Sequence, residues 1–236
     1  MVPACRTAGE GFAIPQLDLT PSDVDGFMPE LQGFHEAFSE CFTRREPREH
    51  FCRSMVGQFS DLERQSIEPI ALAVEGGNIR AMQRGIRDAV WDEDQMRWTY
   101  HHLVNDDLGA PEGVVMFDES GVAKKGQDSV GVARQYWGTL GQVENCQVGV
   151  FAAYASRHGY ALLDKRLFWP EVWLSDAYAP RRTTCQVPKE LTFHTTPQVA
   201  AQMLRTLHDE GILPCKYVVA DGLSGNSLEF LAAVDA

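Results

Sequence analysis

Val114-Val115-Met116-Phe117-Asp118 and, far downstream, Tyr217-Val218-Val219-Ala220-Asp221 are two short apolar runs that each end in an aspartate. Solid apolar runs of this length, bounded by glycine and polar residues, suit strands buried on both faces. Two more lie between them, Val148 to Tyr154 and Tyr160 to Leu163, joined by Ser156-Arg157-His158-Gly159, which is short enough for an antiparallel hairpin. A helix follows: Thr196 reads as its N-cap, Pro197 as its first position, Val199, Ala200, Met203, Leu204 and Leu207 as one apolar face, and Gly211 as its stop. The order strand, strand, strand, helix, strand predicts an α/β domain with a mixed sheet over residues 113–236.

Residues 1–112 have a different texture and read as an all-helical region. Leu31, Phe34, Phe38, Cys41 and Phe42 keep a spacing of three or four, as do Phe51, Met55, Phe59 and Leu62, with Pro47 near a helix start. Ile79, Met82, Ile86 and Val90 follow the breaker Gly76-Gly77-Asn78. A last pattern runs from Asp92, a fitting N-cap, through Met96, Tyr100, Leu103 and Val104 to Gly109. The spacing predicts four helices of one bundle.

The chain of 236 residues is 44% hydrophobic and 23% charged, which excludes collagen-like and wholly disordered classes. No apolar run approaches the ~20 residues of a membrane helix, and the N-terminus has no signal pattern, so the reading is cytoplasmic with no membrane partner. Six cysteines never form a Cys-x-x-Cys pair, which argues against a zinc knuckle or a disulfide scaffold and for small buried hydrophobes. The net charge of −12 weighs against nucleic-acid binding; residues 1–112 hold 10 Arg against 20 acids, and the rest 11 basic residues against 13. Against that background Arg80, Arg84 and Arg87, with Gln83 beside them, fall on one helix face, a geometry suited to phosphate contact. Arg44, Arg45, Arg48 and Arg53 make a second basic group. Each group also reads as a plain solvated face. The histidines, His101-His102 included, show no metal-ligand spacing with the cysteines and read as structural.

In α/β sheets ligands sit outside the carboxyl ends of the strands. If the first and last strands are neighbours, Asp118 and Asp221 project into one pocket, and two carboxylates held close repel unless a divalent cation stands between them. Oxygen-only ligation favours Mg²⁺ or Mn²⁺ over zinc. The alternative is that each aspartate merely caps a turn or helix after its strand. After Asp118, the stretch Glu119 to Gly126 reads as a flexible loop whose Lys124 and Lys125 would hold a phosphate beside the metal or simply face solvent.

The string Asp118-Glu119-Ser120-Gly121, Lys124-Lys125-Gly126, Ser129-Val130-Gly131-Val132-Ala133-Arg134-Gln135-Tyr136, Gly138 and Asn145-Cys146-Gln147-Val148-Gly149-Val150 resembles bacterial insertion-sequence transposases with a DDE-type endonuclease domain. Tyr154-Ala155-Ser156, Leu162-Leu163-Asp164 and Val218-Val219-Ala220-Asp221 add to it, as do Arg44-Arg45-Glu46, Arg48-Glu49-His50-Phe51 and Ser66-Ile67-Glu68-Pro69-Ile70-Ala71 upstream. The similarity runs over about residues 30 to 236. It implies a ribonuclease H-like core in which three acids bind two Mg²⁺ or Mn²⁺ ions and cut and join double-stranded DNA at transposon ends. Asp118 would be the first acid, Asp221 the second, and Glu119 a secondary ligand or support. Lys124, Lys125 and Arg134, together with Arg80, Arg84 and Arg87 of the helical region, would contact DNA at the terminal repeats, with the chain acting as a possible homo-oligomer.

The sequence also departs from the family. The third acid, a Glu on a later helix, has no counterpart here, Glu229 coming too soon after Asp221, so a truncated core with weak metal binding and little cleavage is expected. Gly222-Leu223-Ser224-Gly225 lacks the aromatic expected before the glycine. Two other functions compete. A transposase-derived protein would bind DNA or inhibit an intact transposase without chemistry. A haloacid-dehalogenase-type phosphohydrolase would need a second Asp two residues after Asp118, where Ser120 stands.

Overall fold

The computed structural model describes residues 20–138 and 141–235. The chain divides into two compact units, Met1–Asp92 and Glu93–Ala236.

The first unit is helical. It holds α1 (Pro21–Ala37), a 3-10 turn at Ser39–Cys41, α2 (Arg45–Gln58), α3 (Ile67–Ala73) and α4 (Ile79–Asp88). The periodicity that suggested one helix from Leu31 to Phe42 spans a break instead: α1 stops at Ala37, and Phe42 leaves the helical path to bridge Trp91. Phe38 is buried where it meets the rings of Phe34 and Phe51. A second small core joins Ile70 and Ala71 of α3 to Met82 of α4, flanked by Leu62, Ile67, Val74 and Ile79. Ile86 and Val90, expected on the same buried stripe, are exposed: α4 packs on α3 and α2 through other positions, and Val90 lies past its end at Asp88. The separate helix α3 was not visible in the spacing of apolar residues.

Gly57 of α2 lets α3 come close, since a Cβ there would lie 2.3 Å from Ile70 Cγ2. The α3–α4 turn is tighter still. Gly76 takes a φ of +67°, and a Cβ on Gly77 would lie 2.1 Å from the Ala71 carbonyl oxygen, a backbone atom that cannot move aside. Asn78 then caps α4, its Oδ1 accepting the Ala81 N–H at 2.9 Å.

The second unit begins with α5 (Glu93–Leu108), so the expected boundary at residue 112 falls inside it rather than between the units. α5 lies with the sheet because its side chains bond to it: Tyr100 donates to the Leu162 carbonyl at 2.7 Å, and His101 Nε2 meets the Leu163 carbonyl at 3.2 Å. The strands are β1 (Val114–Ala123), β2 (Ala133–Trp137), β3 (Gln142–Ser156), β4 (Gly159–Leu167) and β5 (Tyr217–Ala220). They run in the order β2-β3-β1-β5, with β4 also on β3. Only the β1–β5 pair is parallel. The β3–β4 hairpin turns at the expected Ser156–Gly159. β2, which has no solid apolar run, was not expected.

Between β4 and β5 come 3-10 turns at Glu171–Leu174 and Asp176–Tyr178, then α6 (Ala179–Thr184) and α7 (Thr196–Glu210); α8 (Gly222–Gly225) and α9 (Leu228–Val234) follow β5. The α7 N-cap is Thr195, one residue before the one expected, and it forms a capping box with Gln198, while Gly211 closes the helix at φ +61°.

The core of this unit lies on one face of the sheet. Val115, Phe117, Val150, Ala152, Tyr154 and Leu163 pack against Val199, Ala200, Met203 and Leu204 of α7 and against Phe230 of α9. The strands are therefore buried on alternate residues, not on both faces as expected. On the opposite face, Tyr160 is 72% and Leu162 62% exposed, because α5, α7 and α9 all cover the other side. Tyr154 ties the layers together: its hydroxyl accepts the Ala110 N–H at 3.1 Å and donates to the Pro214 carbonyl at 2.9 Å. Cys41 and Cys146 are buried as expected, but Cys215 is exposed, and no disulfide joins the described cysteines; Cys5 lies outside the described residues.

Candidate active site

β1 and β5 are neighbours, and their parallel register pairs Phe117 with Ala220. Asp118 and Asp221 each come next in the chain. The two strands then part. β5 ends at Ala220, and Asp221 caps α8, its Oδ1 accepting the Ser224 N–H at 2.9 Å. β1 instead continues to Ala123, paired with β3 throughout. Asp118 is therefore a mid-strand residue and does not close the strand as expected. It stands where β1 loses its β5 partner, and its Oδ1 accepts the Glu119 N–H at 2.9 Å.

The pleat assigns the faces. Val115 and Phe117 are buried against α7 and α9, and Glu119, two residues on, shares their side of the strand. Asp118 lies on the other parity and is exposed. Glu119 is half-buried, with the Thr196 hydroxyl at the start of α7 near its carboxylate. Its Oε1 is buried with no hydrogen-bond partner. Burial, and after it the charges of Asp221 and Asp118, push the Glu119 carboxyl above its ordinary value, against the opposing pull of Thr196. Both aspartates thus act on one buried carboxylate, and of the two Asp221 acts more strongly. Sequence reasoning gave Glu119 the place of a secondary ligand or support and missed Thr196 beside it. The signal was available in the parity of the strand, which puts residue 119 on the side of Val115 and Phe117.

The lysines do not join this group. With Glu119 to Ala123 in strand rather than loop, Lys124 lies six residues beyond Asp118, roughly 20 Å along an extended chain. Lys124 bonds the Asn145 carbonyl through its own N–H at 2.9 Å, and Arg134 pairs opposite Asn145 from β2, so Lys124, Lys125 and Arg134 gather at the far end of the sheet. Glu229 on α9 is held by Gln198 Nε2 at 2.9 Å and by Arg205 at 3.6 Å. His101, fully buried, lies between Glu210 Oε2 at 2.6 Å and the Leu163 carbonyl, and Arg97 reaches the same Glu210 at 3.2 Å. It is a structural histidine, as expected.

In the first unit, Arg80, Gln83, Arg84 and Arg87 are exposed along α4 and, with Asn78, line one shallow hollow. Arg87 is forked onto Asp88 at 2.6 and 2.7 Å. Among the described residues Arg80 and Arg84 have no acidic partner within 4.0 Å. Half of the second basic group is engaged: Arg45 and Arg53 both meet Glu49, and the Arg53 guanidinium lies over Gly76.

The donors near Asp118 are oxygens only, and the orphaned Glu119 oxygen together with the mutual repulsion of the acids suits a hard divalent cation. The set falls short of a complete cage, since among the described residues no three His, Cys, Asp or Glu side chains converge closely enough to hold a metal ion. No helix among the described residues is long and apolar enough to cross a membrane.

Two comparisons bear on this site. The chain is 29% identical over 181 residues to a probable transposase for insertion sequence element IS701 from Microchaete diplosiphon. The match takes in 76% of this chain and 44% of that protein, so the chain spans less than half of its relative's length. The family model described as DDE superfamily endonuclease matches residues 37–236, which include all of the described strands together with Asp118, Glu119 and Asp221. The chain belongs to the DDE endonuclease superfamily.

Proposed function

We propose that the chain carries the catalytic region of an insertion-sequence transposase, which cleaves and joins double-stranded DNA at the ends of its element, with Asp118 and Asp221 as the metal-binding acids. The supporting observation is the β1–β5 register, which brings two aspartates from distant parts of the sequence to adjacent chain segments where β5 ends beside the middle of β1. A bound Mg²⁺ or Mn²⁺ would polarise the phosphodiester and lower the pKa of an attacking water or 3′-hydroxyl. Asp118 and Asp221 would hold the cation, with Glu119 the nearest further carboxylate. Burial raises the Glu119 carboxyl above its ordinary value, so a cation held beside it would favour its ionised form. Lys124, Lys125 and Arg134 lie too far along the sheet to touch the reacting phosphate and would instead grip flanking DNA, as Arg80, Arg84 and Arg87 would from the helical unit.

A second reading, DNA binding without cleavage, draws on the incomplete ligand set. Incubating the chain with supercoiled plasmid and Mn²⁺ separates the two. Nicking that disappears in Asp118→Asn and in Asp221→Asn supports the endonuclease. Retention of plasmid in a gel shift with no nicking at any Mn²⁺ concentration supports the binding protein.

A further inference from the structure

We propose that Trp137 is a positioning residue for Glu119: its indole N–H and the Glu119 carboxylate hold one water between them across Gly121, so that the tip of the β2–β3 hairpin fixes the acid next to Asp118. The inference rests on the endonuclease reading, and it adds to the site a residue that carries no charge and lies on a different strand.

Three observations carry it. The first is the path of the hairpin. β2 ends at Trp137, which pairs with Gln142 at the start of β3, and among the described strands β2 pairs with β3 alone. Gly121 of β1 pairs with Val148, six residues on from Gln142, which is roughly 20 Å along a straight strand. Yet the Trp137 ring lies on Gly121: a Cβ there would be 2.6 Å from Cδ1 and 2.7 Å from Nε1 of the indole. The hairpin therefore curls back over β1, and the ring finds its seat only because residue 121 has no side chain.

The second is parity. Glu119 and Gly121 stand two apart in β1, so a Cβ on Gly121 would point to the face that carries Glu119. The indole lies on that face. The third is the state of the polar atoms. Among the described residues three buried side-chain atoms have no hydrogen-bond partner: His50 Nδ1 in the helical unit and, in the α/β unit, Glu119 Oε1 and Trp137 Nε1. A carboxylate oxygen accepts and an indole nitrogen only donates, so each is the partner that the other lacks. Leaving both unpaired in the interior is costly.

Side chains two residues apart on one strand face start about 7 Å apart. With the carboxylate reaching in from residue 119 and the indole nitrogen held at residue 121, the gap between them suits one water that makes two bonds of about 2.8 Å. The water takes one lone pair of Oε1 and leaves the other, with Oε2, open to a cation. Such hydrogen-bonded support is what orients a ligating carboxylate.

The test uses the full chain, isotope-labelled at the tryptophan nitrogens and free of metal. Five tryptophans give five indole signals, and Trp137→Phe, which keeps a ring over Gly121, identifies one of them by its loss. In the wild type that signal should exchange slowly with solvent. Glu119→Ala should speed its exchange about 10-fold, the equivalent of one hydrogen bond, whereas Glu119→Gln, which keeps an acceptor oxygen, should leave it slow. Trp137→Phe should also weaken Mn²⁺ binding about 10-fold, the lower end of what an orienting partner contributes, while the other indole signals stay in place and exclude misfolding. A Trp137 signal unmoved by Glu119→Ala overturns the link. Wild-type Mn²⁺ affinity in Trp137→Phe, or no Mn²⁺ binding by the wild type, overturns the positioning role. If the indole and Mn²⁺ results hold and the wild type nicks no plasmid, the endonuclease reading fails alone.

Discussion

Phe117 and Ala220 face each other as the last partners of the parallel β1–β5 ladder, and the next residue in each strand is an aspartate. Of these, Asp221 has two duties that mutation can separate, because it also caps α8 through the Ser224 N–H. Asparagine keeps the cap and removes the charge, whereas alanine removes both. Mn²⁺-dependent plasmid nicking should fall at least about 100-fold in Asp221→Asn and Asp221→Ala alike, the upper end of what losing a merely orienting group costs. Thermal unfolding should distinguish them: only the alanine variant loses about 1 kcal/mol.

Glu119→Gln should stabilise the protein at neutral pH. The folded-state pKa of Glu119 is raised above its ordinary value of 4.5, so the native state keeps a proton that the unfolded chain releases. Stability then declines as pH rises from about 4.5 through the folded value and stays reduced above it. Glutamine, always neutral, escapes that cost. Melting temperatures of variant and wild type should converge below about pH 4 and separate as pH rises, and Mn²⁺ should narrow the gap at pH 7 by stabilising the wild type. A difference that is the same at pH 4 and pH 7 would refute the electrostatic account.

Gly77→Ala should cost about 2–3 kcal/mol, since its Cβ would meet the Ala71 backbone at 2.1 Å from the oxygen and 2.9 Å from the carbon. Gly26→Ala on α1 provides the control. Nothing lies within 4 Å of its Cβ, and the same change in an open helical position should add up to about 1 kcal/mol. Chemical denaturation of the two variants should shift in opposite directions.

Tyr154→Phe keeps the ring but leaves the Ala110 N–H and the Pro214 carbonyl without the hydroxyl that now joins them in the interior. A loss of about 1–3 kcal/mol is expected, with no change in the denaturant slope because the surface exposed on unfolding is the same.

Much of the α/β unit was legible from the sequence because its signals are local. Gly211 ends α7 and Ser156–Gly159 turns the hairpin, each through residues that the geometry demands. β2 escaped because Ala133–Trp137, with Arg134 and Gln135 side by side, has neither a solid apolar run nor an apolar–polar alternation, and α3 because seven residues are too few to show a helical period. The extension of β1 through Ala123 was hidden by Ser120-Gly121, which reads as a turn yet is held in strand by pairing with Gly149 and Val148. That long-range contact displaced the lysines from the aspartates. The place of α5 could not be read from its own sequence either, since the groups that fix it, Glu210 and the carbonyls of Leu162 and Leu163, lie far along the chain.

β1 is flanked by strands on both sides as far as Phe117 and, among the described residues, by β3 alone from Asp118 to Ala123. Two regimes of local stability therefore meet at a single peptide. Amide protons of the doubly flanked stretch should exchange with solvent only when the whole sheet opens, while those of the outer stretch that point away from β3 should exchange by local fraying. The carboxylates at this seam sit on a stiff support with an open flank, a setting that fixes their spacing and still lets a bulky polyanion approach from the side.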